Sequence, residues 1–160
     1  MADEVDDLVA RWEIERPDLD LVAIAVYERL GRAASLNRRA RDAIAATYEL
    51  RTGEFDVLAA LRNSGAPYAL TPTDLARVLE VSPAGITDRV DRLTSRDLVD
   101  RDPDLDDRRS LKVTLTDQGK DLVDAALTDH DVAQTKALSK LTAKEQKTFT
   151  KLLTKLLEPD

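Results

Sequence analysis

Apolar residues recur at helical spacing in seven stretches of this chain, and one region between them alternates with period two instead. Residues 3–15 make a short amphipathic segment carrying the single tryptophan, Trp12; Arg16-Pro17-Asp18 separates it from a long helical stretch over roughly 18–49, with Leu21, Ile24, Leu30, Leu36 and Ile44 on its apolar stripe. Five later helix starts carry capping signals. Thr52 precedes an apolar pattern of Phe55, Leu58 and Leu61 that ends near Asn63-Ser64-Gly65. Thr71-Pro72-Thr73-Asp74 and Ser82-Pro83 each set a capping hydroxyl before a first-turn proline. Thr116-Asp117-Gln118 opens a helix over 117–139, and Thr142-Ala143-Lys144-Glu145 is a reciprocal capping box opening one over 143–157. Between Leu98 and Leu115 the period changes: an extended Leu98-Val99-Asp100-Arg101, a charged turn, then alternating Leu111-Lys112-Val113-Thr114-Leu115 predict a β-hairpin.

The helices over 72–79 and 83–96 are separated only by Glu80-Val81-Ser82 and are followed by the hairpin, which is the pattern of a winged helix-turn-helix. The predicted fold class is mainly α (α+β). At 100° per residue, Ile86, Val90 and Leu93 share one face of the second helix; Ala84, Thr87, Asp88, Asp91, Arg92 and Ser95 face away, and Arg89 lies on the border. A polar face with small residues at its start suits a helix pressed into a major groove. The Ser82 and Thr87 hydroxyls and the helix-start amides suit phosphate oxygens, Arg92 a phosphate or a guanine edge, and Asp88 a cytosine amino group. Arg108 and Arg109, after Asp102, Asp104, Asp106 and Asp107, suit a minor groove at the hairpin tip. The same helices and charges also fit a helical dimer that binds ligands or proteins without DNA, so both readings stand on pattern alone.

Composition narrows the picture. The 160 residues suffice for a single compact domain, and 42% hydrophobic with 34% charged residues is a globular balance. No apolar run has membrane-spanning length and no basic-then-apolar leader opens the chain, so a cytoplasmic protein without membrane partners is expected. The absence of cysteine excludes disulfides and thiolate metal sites. His130 is the only histidine and its neighbours Asp129 and Asp131 point elsewhere on a helix; no catalytic constellation, metal site or cofactor motif is read, and no enzyme is expected. The formal net charge of −7 works against nucleic-acid binding, which must therefore rest on local placement of cations. Arg38-Arg39-Ala40-Arg41 and the lysines at 136, 140, 144, 147, 151 and 155 read as solvated helix faces.

The stretches GEFDVLAALRNSG (53–65), LTPTDLARVLEVSPAGITDRVDRL (70–93) and LVDRDPDLDDRRSLKVTLTDQG (98–119), with the helix start at 141–145, resemble the MarR family of bacterial transcriptional regulators over nearly the whole chain. The resemblance implies interlocking N- and C-terminal dimerisation helices (1–50 and 116–160) around a winged helix-turn-helix (51–115). It further implies a homodimer on palindromic operator DNA, usually as a repressor, released by a small organic ligand, often anionic or phenolic. By that analogy the DNA contacts fall on Ser82, Ala84, Thr87, Asp88, Arg89, Arg92, Arg108 and Arg109. The N-terminal segment is similar to a urate- and organic-anion-responsive branch of the family, which implies a ligand site at Trp12, Asp56, Asn63 and Arg89, with Arg89 pairing with Asp56. Three positions depart from the pattern: Asp88 stands where Asn is common, Asp97 where Gly ends the helix, and Asn63, beside Arg62, where the branch has Arg. The last removes a bidentate anion donor.

Overall fold

The computed structural model describes residues 3–103 and 111–159, in two compact units, 1–41 and 42–160. The cut falls inside a long helix, so each unit is taken by itself.

In the first unit, helix α1 (Glu4–Glu15) is opened by a capping box in which Asp3 accepts from the Val5 and Asp6 amides while Asp6 reaches back to the Asp3 amide. Helix α2 begins at Leu21 and runs to Thr47, crossing into the second unit. Arg29 of α2 holds both capping carboxylates, Asp3 at 2.8 Å and Asp6 at 2.6 Å, and Arg32 holds Glu4 at 2.5 Å. These exposed pairs fix register between the two helices more than they stabilise them.

The second unit follows the expected order, α3 (Thr52–Asn63), α4 (Pro72–Leu79), α5 (Pro83–Thr94), β2 (Val99–Pro103), β3 (Leu111–Leu115), α6 (Asp117–Leu138) and α7 (Ala143–Leu156). One element was not foreseen: β1 (Ala69–Leu70) pairs antiparallel with β3, giving a three-stranded sheet of order β1-β3-β2. Two residues are too few to show a period, so only the partner strand reveals it. Thr52, expected as a cap, is the first helical residue; Arg51 is the cap, and the Thr52 hydroxyl donates to Asp42 instead. The core gathers Phe55, Leu58 and Leu61 of α3, Leu75 of α4, Ile86, Val90 and Leu93 of α5, Leu98, Val113, and Val123 of α6, all essentially without solvent contact.

α6 packs on the sheet through Gly119. A Cβ there would stand 1.9 Å from the Leu98 carbonyl oxygen, so only glycine permits the approach. The Thr116 hydroxyl caps α6 by accepting from the Gly119 amide (2.9 Å) and donates to the Asp97 carbonyl (2.7 Å). Asp97 itself sits at φ 56°, the left-handed turn for which glycine is usual. α7 buries none of its side chains within the chain, and Phe149, Leu152 and Leu156 lie exposed along it. No described helix is long and apolar enough to cross a membrane.

Candidate nucleic-acid interface

α4 and α5 are set by their ends. The Thr71 hydroxyl accepts from the Asp74 amide (3.1 Å), and α4 stops at Glu80, whose left-handed backbone (φ 53°) reverses the chain in a single step. Ser82 then caps α5 by accepting from the Gly85 amide at 3.2 Å. Pro83 has no N–H, so among the described residues the Ala84 amide is the first-turn donor left for an outside acceptor. Ala84 is exposed, as expected.

The outward face of α5 is as the periodicity predicts at Ala84, Thr87, Asp88, Asp91 and Ser95, all exposed. The Thr87 hydroxyl donates to the Pro83 carbonyl (3.1 Å), so it must turn away before it can donate to a phosphate. Arg92 departs from the pattern. Expected to face outward freely, it is drawn back to 29% exposure because its Nε donates to Glu54 Oε1 of α3 at 2.5 Å while Nη1 donates to Asp88 one turn earlier. The hydrogen bonds it donates to Asp88 and then Glu54 hold the guanidinium above its ordinary pKa. Glu54 is buried, and its second oxygen accepts the Arg51 amide at 2.9 Å. The carboxylate therefore both closes the first turn of α3 and anchors α5.

Glu54 was missed by the sequence reading. The signal was present: with Leu58 and Leu61 it falls at i, i+4, i+7, on the buried stripe of α3.

Arg89 is half-buried on the border, as expected, but it does not pair with Asp56. Its guanidinium lies against Gly53, with Cζ and Nε each 2.6 Å from where a Cβ on that glycine would stand. The ion pair joining α3 to α5 is Glu54–Arg92, one turn along α5. A second pair, Asp91–Arg101, joins α5 to β2. At the far end of α5, Arg96 donates to the Glu49 carbonyl at 2.6 Å.

Of the expected ligand residues in this unit, Asp56 is half-buried on α3 and Asn63 is exposed at its last position. Arg62, beside Asn63, does not serve as a free substitute: it donates to Asp124 of α6 at 2.7 Å and lies 4.8 Å over the Tyr68 ring. That guanidinium, with Lys120 beside it, holds the Asp124 carboxyl below its ordinary value. Trp12 belongs to the first unit, where it is 40% exposed and lines a groove with Leu8, Arg11 and Glu15. Arg108 and Arg109 lie outside the described residues. Among the described residues, no three side chains of metal-ligating type converge on one point.

Known proteins share both the sequence and the fold of this interface. The model of the MarR family matches residues 49–110. The transcriptional regulator PecS of Dickeya dadantii is 38% identical over 150 residues, covering 94% of this chain and 90% of PecS. Among solved structures, a cysteine-to-serine mutant of E. coli MarR in complex with operator DNA is 30% identical with a TM-score of 0.65, covering 81% of this chain and 94% of that one. Bordetella bronchiseptica BpsR, whose DNA binding is regulated by 6-hydroxynicotinic acid, is 27% identical with a TM-score of 0.70, covering 84% and 94%.

Proposed function

The chain belongs to the MarR family of transcriptional regulators, and on that premise we propose that it is a ligand-responsive, sequence-specific DNA-binding regulator, acting as a homodimeric repressor on a palindromic operator in the cytoplasm. One observation carries the reading. α5 is held on the core by Ile86, Val90 and Leu93 while its opposite face, from Ala84 to Ser95, is left to solvent beside the β2–β3 hairpin. That is the presentation a helix needs to enter a major groove, with the hairpin as the flanking wing.

The chemistry of this face explains how an acidic protein approaches DNA. The Ala84 amide and the Ser82 hydroxyl lie at the N-terminus of α5, where the helix dipole favours a phosphate. Arg89 and, once its pair with Asp88 opens, Arg92 supply cations from the same helix, and Arg108 and Arg109, outside the described residues, are proposed to complete the interface. The ligand-responsive residues are proposed to be Asp56, Asn63 and Arg89 of the second unit and, separately, Trp12 of the first. The ligand acts by disturbing Arg89, which rests on α3 rather than being bonded to it, so that its side chain is displaced without breaking an ion pair. The exposed apolar side chains of α7 supply the dimer surface.

Footprinting on the promoter beside the protein's own gene tests the reading. A protected palindrome is expected, with affinity falling steeply as salt rises and weakening when Arg109 is replaced by Ala. The alternative, a dimeric ligand-binding module without DNA binding, draws on the net charge of −7 and on the paired state of Arg92 and Arg101. Failure of any duplex to compete specifically at low salt would decide for it.

A further inference from the structure

Resting on the reading that α5 enters the major groove, we propose that Asp88 sets the specificity of this helix by occupying Arg92 in the free protein as a stand-in for DNA. The guanidinium offers five N–H donors to its surroundings. One goes to Glu54, whose side chain is 5% exposed and is also tied to the Arg51 amide. This partner is permanent, because removing Arg92 from it would strand a buried carboxylate. The other partner, Asp88, is 69% exposed and, among the described residues, held by nothing but the pair. Arg92 thus has one fixed carboxylate and one exchangeable one.

The cluster sets one cation against two carboxylates, so it is net anionic before DNA arrives. A phosphate approaching this face meets Asp88 first and is repelled; it reaches Arg92 only if that pair opens. A base edge that donates behaves differently. The amino group of cytosine or adenine satisfies the outward oxygen of Asp88 while Arg92 keeps the carboxylate in place, so nothing has to break. Asp88 therefore penalises sequence-blind phosphate binding and favours a duplex presenting a major-groove amino group at that step. The neighbouring Asp91–Arg101 pair withholds a second cation from phosphates in the same manner. An asparagine at 88 would read the base edge without the charge and without the penalty.

The test compares the wild-type full chain with D88N and D88E, using fluorescence anisotropy on the footprinted operator duplex and on a scrambled duplex of equal length, between about 50 and 200 mM salt. D88N is expected to bind the scrambled duplex about threefold more tightly or better. Its log–log salt slope should steepen by about 0.9, one added phosphate contact, and the operator-to-scrambled ratio should fall. D88E, which restores the carboxylate, should return the slope toward wild type. A D88N protein with wild-type slope and wild-type ratio overturns the role of Asp88. A wild-type protein that binds both duplexes alike overturns the sequence-specific part of the proposed function and this inference with it; one that binds neither overturns DNA binding itself. Exposure of the side chain means D88N keeps the fold, which an unchanged thermal melt verifies.

Discussion

Replacing Gly119 by Ala adds a single methyl group, yet it should be among the most damaging conservative changes available to this chain. The new Cβ would lie 1.9 Å from the Leu98 carbonyl oxygen, 2.9 Å from its carbon and 3.2 Å from its Cα. All three are backbone atoms at the start of the wing, so no side chain can rotate away; α6 and the Leu98 backbone must part by about 1 Å or more. Overpacking of this kind costs about 1–3 kcal/mol or more. The movement also pulls on the Thr116 cap, which bridges the Gly119 amide and the Asp97 carbonyl and contributes about 1 kcal/mol more. Better helix propensity returns at most about 0.5–1 kcal/mol. A net loss of about 1–3.5 kcal/mol follows, or about 2–14 °C in melting temperature for a chain of this size. The assay is a thermal melt followed by far-UV circular dichroism at fixed protomer concentration, since assembly shifts the midpoint. Gly31→Ala is the control: it lies inside α2 with nothing within 4 Å of its would-be Cβ, so the same chemical change should be neutral or stabilising. A Gly119→Ala protein that melts with the wild type would refute the close approach of α6 to Leu98.

Three further outcomes are expected. Gly53→Ala meets only the end of the flexible Arg89 side chain, so melting should be unchanged or slightly higher while operator affinity falls about fivefold or more; unchanged affinity removes Arg89 from the interface. Asp124 titrates below 3.8 because Arg62, and then Lys120, hold its carboxylate form. The stability this adds is complete above pH 3.8 and is lost as pH falls through the lowered value, so Asp124→Asn should give a flatter acid limb in denaturant midpoints measured against pH; parallel limbs would dismiss the pair. Trp12 is the sole tryptophan, so its fluorescence reports on the groove it lines in the first unit: an inducer that binds there and releases the operator should change its emission, and release with no change would remove Trp12 from the ligand-responsive residues.

Much of this protein was legible from local pattern. The hydroxyls of Ser82, Thr116 and Thr142 open their helices as the hydroxyl-then-proline, Thr-Asp-Gln and capping-box patterns indicated, and Ile86, Val90 and Leu93 are buried as the 100° wheel placed them. The left-handed backbone at Asp97 was expected from the family resemblance, which puts a helix-ending glycine at that place. These features depend on neighbours within one or two turns, and such neighbours are written next to each other in the chain.

The chemistry of the interface was decided elsewhere. Arg92 belongs to the outward face by periodicity, yet a carboxylate 38 positions away on α3 draws it inward, and no spacing rule connects the two. The resemblance implied that Arg89 pairs with Asp56, but the packing of α5 on α3 lays its guanidinium on Gly53, where the missing side chain leaves room. β1 exists only because β3 lies beside it, and Gly119 is indispensable only because Leu98 arrives at that point. Amphipathic period and capping are short-range consequences of backbone geometry, so the sequence alone determined the helices, the wing strands and the face that must be buried. Which arginine is held, by which carboxylate, and which is left to meet DNA depends on distances between elements far apart in the chain, and only tertiary packing sets those.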